Sequence, residues 1–265
     1  MAAHLTRLSM ALILASPLGG TLAAQSAEYT TGTTKYRIVT NIKGSQSSPG
    51  GSQTFDIALR EQITVGLMKH AKDTVMATMT LDSISLSSSA GSPPDVAAIK
   101  GAKFVTLMSP TGKFYSTQAP AGLDPATAQI TEGIGRFLPA YRGNLAKGTT
   151  WSDTTTGKIS QQGMDLDRTI VSTYTVAGDT TIGGQKALRV NRVTTTKASG
   201  GGNAQGTPIT METMGNGNSV YFLTPKGAFL GATSTDDVNS KITVLAQNVE
   251  IGVKQSVQTT IEAIK

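Results

Sequence analysis

The chain of 265 residues contains no cysteine. Disulfide staples, thiolate zinc sites, cysteine nucleophiles and a cysteine-borne lipid anchor are all excluded by that count. Histidine is nearly as scarce, with His4 near the amino terminus and His70 the only other one. A Ser-His-Asp triad would have to use His70. That residue lies in the turn-like stretch Met68–Asp73, and no G-x-S-x-G elbow or Ser-x-x-Lys spacing accompanies it, so an idle, exposed histidine is expected. Aromatic residues make up 5% of the chain, too few to build the two interfacial girdles of a transmembrane barrel. The formal net charge is +6, but from Lys35 onward no two basic residues are adjacent and none interleave with aromatics. The charge therefore reads as a solvated face, and no nucleic-acid partner is expected.

Phosphate-binding loops fail on detail. Gly143–Gly148 has the glycine spacing of a P-loop, but Thr149 stands where the lysine is required. Gly133-x-Gly135 and Gly215-x-Gly217 lack the third glycine of a dinucleotide fingerprint. Two carboxylate pairs remain, Asp165 with Asp167 on one strand face and the adjacent Asp236 and Asp237. With no further carboxylates converging on either pair in the sequence, both read as solvent-facing. No catalytic residue, metal site or cofactor is expected, and the chain reads as non-enzymatic.

What is present begins with a basic start, an apolar run from Leu8 to Leu18, and the small pair Ala23-Ala24. This order is that of a secretory signal, and the run is about half the 20 or so residues that span a bilayer. Cleavage is expected after Ala24 or up to three residues later, leaving 25–265 as a single β-rich exported domain, periplasmic or extracellular, with no integral membrane segment.

Period-two alternation dominates the rest. Phe55, Ile57, Leu59, Ile63, Val65 and Leu67 fall on one parity, and a turn at Ala71-Lys72-Asp73 leads into Val75, Ala77, Met79 and Leu81, the pattern of an antiparallel hairpin. Further strands are expected at 35–43, 165–176, 186–196, 207–214, 241–247 and along the terminal run with Ile251, Val253, Val257 and Ile261. A helix is expected to open at Asp124-Pro125 and to carry Ile130, Ile134, Phe137 and Leu138 on one stripe before Pro139. A shorter one is expected over 94–100. The Gly/Ser/Asn-rich segments 44–53 and 198–206 read as mobile loops. Val105–Phe114 and Val220–Phe229 share Val, Pro, Gly and Phe at identical spacing, with Ser109 and Thr224 as equivalents. Shared turn chemistry accounts for the echo; an old duplication of a β-unit, over about 28–140 and 141–265, is the alternative.

Lys147-Gly-Thr-Thr-Trp151, the entry Gly183–Val190 and the hairpin Gly227-Ala-Phe229, taken with the order of strands, resemble exported bacterial domains of unknown function. That group is similar to the lipoprotein carriers LolA and LolB, although the chain lacks the anchored cysteine of LolB-type members. The resemblance implies an α+β fold, mainly antiparallel: a curved open sheet, or half-barrel, with one or two short helices packed on it. It also implies an apolar cavity holding a lipid-like ligand, for which Trp151, Met76, Met79, Met108, Ile130, Ile134 and Phe137 are the lining candidates. Met211 and Met214 also lie in expected strands, and thioether side chains repack readily around varied acyl shapes. An exported structural or protein-interaction role with no small ligand is the competing expectation.

Overall fold

The computed structural model describes residues 28–264 apart from 94, 124–126, 128–130, 132, 142–144, 162 and 205. Eleven strands follow in chain order: β1 Gly32–Ser48, β2 Gly51–Ala71, β3 Thr74–Ser88, β4 Lys103–Met108, β5 Phe114–Gln118, β6 Thr150–Gln161, β7 Met164–Ile182, β8 Gln185–Ala204, β9 Thr207–Leu223, β10 Phe229–Val244 and β11 Val249–Ile264. They form one antiparallel sheet in the order β5-β4-β3-β2-β1-β11-β10-β9-β8-β7-β6. Every neighbour is also a chain neighbour except β1 and β11, which pair from Lys35↔Ile264 to Ser47↔Gly252. The ends of the described chain therefore meet in the middle of the sheet. Its two free edges are β5 and β6, and the segment 119–149 runs between them instead of a hydrogen-bonded ladder.

Alternation fixes the two faces. On β9, Ile209, Met211, Thr213, Ser219, Tyr221 and Leu223 are buried, while Thr210, Glu212, Asn216 and Asn218 between them are exposed. On β1, Tyr36, Ile38, Thr40 and Ile42 point inward and Lys35, Arg37, Asn41 and Lys43 outward. A single sheet with no second layer buries one face this thoroughly only by curling on itself, in the sense its strand twist provides. The outward residues of these strands are mostly polar or charged.

Two apolar clusters fill the inner face. One joins Tyr36, Leu59, Ile63, Met79, Phe104 and Met108 from β1–β4 to Trp151, Tyr174, Tyr221, Leu223 and Phe229 from β6–β10. The other, toward the opposite end of the strands, joins Ile42, Phe55 and Ile57 to Leu166, Met211, Ile242 and Val253. Between them the register lays down a polar row, Tyr174↔Arg192↔Ser219↔Ser234↔Thr259↔Thr40, running across six strands. The next row is Ser172↔Thr194↔Gly217↔Asp236.

The antiparallel, open character of the sheet agrees with the sequence reading, but the α+β class with helices packed on it is corrected. Among the described residues helical structure is confined to single 3-10 turns at Ala97–Ile99, Ile134–Arg136 and Leu245–Gln247 and to Thr127 and Thr131, which are α-helical. Much of the expected helix from Asp124, Ile130 included, lies outside the described residues. Around Ile134 the reason for the failure is visible. The Gly135 carbonyl accepts hydrogen bonds from Thr106 Oγ1 at 2.6 Å and from Thr117 Oγ1 at 3.2 Å, so β4 and β5 take a group that a helix would use. Two glycines in three residues also lower helix propensity by about 1 kcal/mol each.

The expected loops 44–53 and 198–206 are corrected as well: they lie mostly within β1, β2 and β8. Their glycines serve close approach and not flexibility. A Cβ at Gly200 would overlap the β7 backbone at Asp165, one at Gly202 the backbone of Gly163 just before β7, and one at Gly44 the Phe55 ring that lies over it.

The two hairpins of similar sequence adopt one hydrogen-bond pattern. Ser109 N–H donates to Lys113 O at 2.7 Å and Thr224 N–H to Ala228 O at 2.8 Å. The side-chain oxygens Ser109 Oγ and Thr224 Oγ1 each accept from the residue four positions on, both at 2.9 Å. Gly112 and Gly227 hold φ of 83° and 95°, the left-handed residue that follows such a turn.

Candidate functional site

The site is the inner face near the seam between β5 and β6. Three side chains from the chain between β5 and β6 close it: Ile134, Phe137 and Leu138 are buried in the first apolar cluster. The Phe137 ring lies 4.9 Å from Tyr36 and 5.6 Å from Phe229, edge-on to both. Tyr141, further along the segment, packs 4.9 Å from Tyr29, whose hydroxyl donates to Pro139 O at 2.7 Å. Burial drives both phenols well above the ordinary tyrosine range, so they are neutral at any working pH.

Beside this plug lies a crevice lined by Tyr141, Leu145, Trp151, Tyr174, Tyr221 and Leu223. Its interior space is about 10 Å³, room for one water molecule at most. Trp151 stacks on Tyr174 at 5.0 Å with planes 8° apart, an arrangement set by the register Trp151↔Tyr174.

Behind the aromatics sits a buried cation. Arg192 is 4% exposed, lies 5.8 Å over the Tyr174 ring, and donates from Nε to Ser172 Oγ at 3.1 Å and from Nη1 to the Tyr221 hydroxyl at 3.0 Å. Burial opposes its charge, but Tyr221, Tyr174 and Asp236 outweigh that and hold the guanidinium protonated. Asp236 is itself pushed up by burial, with Arg192 pulling the other way. Gly217 leaves the space that the Asp236 carboxylate occupies, since a Cβ there would overlap it. The cation thus has hydrogen-bond partners and a facing carboxylate.

On β2, Glu61 has neither. It is 6% exposed, and its Oε1 is buried with no hydrogen-bond partner. Burial alone lifts its carboxyl from the ordinary 4.5 to about 7.

Of the candidates read from sequence, Trp151, Met79, Met108, Ile134 and Phe137 come together in one cluster. Met76 does not, because it lies on the opposite parity from Val75, Ala77 and Met79 and is only half-buried. Met211 belongs to the other cluster and Met214 is 62% exposed. Asp236 and Asp237 do not act as a pair: adjacent strand residues face opposite ways, and only Asp237 is exposed. Asp165 and Asp167 share the exposed face of β7, and no group of residues suited to a metal ion occurs among the described residues. Sequence reasoning missed Glu61 and Arg192, although both sit on the apolar parity of their strands.

No protein-family model and no curated protein matches the chain. Among solved structures it is similar to Pseudomonas aeruginosa OccK2 at 7% identity, over 88% of this chain and 98% of that one, with a TM-score of 0.31. A mutant of Rh. blastica porin matches at 10% identity, over 85% and 99% of the two chains, with a TM-score of 0.30. A Vibrio parahaemolyticus domain, described as one of an outer membrane lipoprotein-sorting protein, matches at 10% identity over 88% and 84%, with a TM-score of 0.19. At such scores the likeness is one of long antiparallel strands and carries no argument about function.

Proposed function

We propose that the protein is exported to the cell envelope and binds a lipid-like apolar ligand inside its curled sheet, without catalysing a reaction. The observation that carries this reading is the seam. There the inner face is closed by the side chains of Ile134, Phe137 and Leu138 on irregular backbone, next to an aromatic crevice. Such a plug can withdraw without breaking a strand ladder, and its withdrawal would expose the apolar side chains it now covers. The signal-like leader supports export, and the water-facing outer residues support a carrier over a barrel embedded in lipid. Extraction of the natively exported protein followed by lipid mass spectrometry tests it. A stoichiometric amphiphile is expected, and an extract free of lipid argues for the competing reading.

That competing reading, a closed structural or interaction protein, is favoured by one observation: the crevice as it stands admits no more than one water molecule. Binding on the carrier reading therefore requires the plug to move.

A further inference from the structure

We propose that Glu61 is the head-group acceptor of this interior, and that the ligand is an amphiphile whose polar end carries a protonated amine. The inference rests on the apolar-ligand reading and specifies its chemistry. Along β2, Glu61 falls between Leu59 and Ile63, and across the ladder it faces Ile38 of β1 and Ile84 of β3. The neighbouring inward side chains of β1 and β3, namely Tyr36, Thr40, Leu81 and Leu86, carry no charge either. A carboxyl in such a setting costs stability unless something compensates it, and its Oε1 is left without a partner.

The rest of the interior indicates which partner is missing. Arg192, the buried cation of the site, is already held by Ser172, Tyr221 and Asp236. Among the described residues two buried groups are then left without a partner: the Tyr141 hydroxyl, a neutral group in the crevice lining that can donate or accept, and Glu61, whose unmet need is for a hydrogen-bond donor or a cation. Position agrees with that role. The register row of Glu61 continues through Ile38, Ile261 and Ala232 to Tyr221 and Val190, so the carboxyl stands level with residues that line the crevice. A tail lying in the first apolar cluster would place its head at this row, where the apolar cluster gives way to the polar one. A bulge lies next to it in sequence: the ladder between β2 and β3 slips at Gln62/Ile63, leaving Asp82 out of register between Leu81 and Ser83. Bulges of this kind re-aim a neighbouring side chain and are over-represented at functional sites. Asp82 itself is occupied by Thr64 Oγ1, which donates to its Oδ2 at 2.6 Å.

The test compares three amphiphiles of one tail length, dodecylamine, dodecanol and dodecanoate, each titrated below its micelle concentration at about pH 8 with Trp151 emission as the readout. At that pH the Glu61 carboxylate is mostly charged and the amine fully so. The wild type is expected to bind the amine at least about tenfold more tightly than the alcohol, with the carboxylate weakest. Glu61→Gln, its fold checked by circular dichroism, is expected to bind amine and alcohol alike. Equal affinity of amine and alcohol in the wild type overturns the proposal while leaving the apolar-ligand reading intact, and so does an amine preference that survives in Glu61→Gln. Absence of a saturable shift with all three overturns the apolar-ligand reading and the proposal with it. The wild-type comparison at about pH 5, where protonation of Glu61 should abolish the amine preference, needs no variant and would overturn the proposal if the preference persisted.

Discussion

Glu61→Gln should flatten the dependence of stability on pH between about pH 5 and about pH 8. Burial lifts the folded carboxyl from 4.5 to about 7, so between those values the folded protein holds a proton that the unfolded chain releases. Stability from this group is fully present below about pH 4.5 and is lost as pH rises through about 7, where the folded carboxyl ionises in an apolar wall. At about 1.4 kcal/mol per tenfold change in proton affinity, the loss is about 3 kcal/mol. No discount for solvent is needed, because the residue is 6% exposed. For a domain of this size that corresponds to about 6 to 12 °C in melting temperature. Urea unfolding of wild type and variant at the two pH values isolates the effect, because other carboxylates contribute equally to both proteins. The variant should be the more stable at the higher pH by about 3 kcal/mol and show little difference at the lower. Identical pH slopes would refute the assignment of a buried, unpaired carboxyl.

Three further outcomes follow from the packing and the leader. Gly200→Ala should cost about 1 to 3 kcal/mol in denaturant unfolding, because its Cβ would overlap the backbone carbonyl of Asp165, whereas Gly157→Ala, with open space around it, should change stability by less than about 0.5 kcal/mol. Phe137→Ala should cost about 3 to 5 kcal/mol by removing a ring packed on Tyr36 and Phe229; it should also tighten dodecanol binding measured by Trp151 emission, because the ring occupies space the ligand needs. Intact-mass measurement of the exported protein should place its amino terminus between Gln25 and Glu28, and retention of Met1 would contradict the reading of the leader.

The strands were legible because period-two alternation is a local signal: the alternating run from Phe55 to Leu67 reads as a strand, and β2 Gly51–Ala71 contains it. The turn at Lys72-Asp73 and the paired hairpins at Gly112 and Gly227 were legible for the same reason, since turn chemistry resides in the turn residues. What failed depended on neighbours distant in sequence. Glycines at 44, 200 and 202 resembled loop residues until the strand beside them was known. The stripe Ile134, Phe137, Leu138 resembled a helix face because burial in a plug leaves the same spacing as burial on a helix. Of the site, the aromatic and methionine contributors were readable as apolar residues in strands. Met76 could have been set aside by the alternation that retained Met79. Glu61 could have been found by one question asked of β2: which residue on the apolar parity of Phe55, Ile57, Leu59, Ile63 and Val65 is not apolar. The same question asked of β8, where Arg192 follows Val190 on the inner parity, finds the buried cation. Which of the two charges has partners was not readable, because Tyr221, Ser172 and Asp236 come from three other strands.

Whether the curled sheet holds an apolar ligand is decided by the melting temperature of natively exported protein before and after delipidation. A ligand that binds only the folded state at about a hundred times its dissociation constant adds about 2.7 kcal/mol, or about 5 to 10 °C for a domain of this size. Delipidation is expected to lower the melting temperature by that order, and returning the extracted lipid to restore it. Identical melting temperatures for the native, stripped and reloaded protein would contradict the claim and leave a closed structural protein as the reading of this fold.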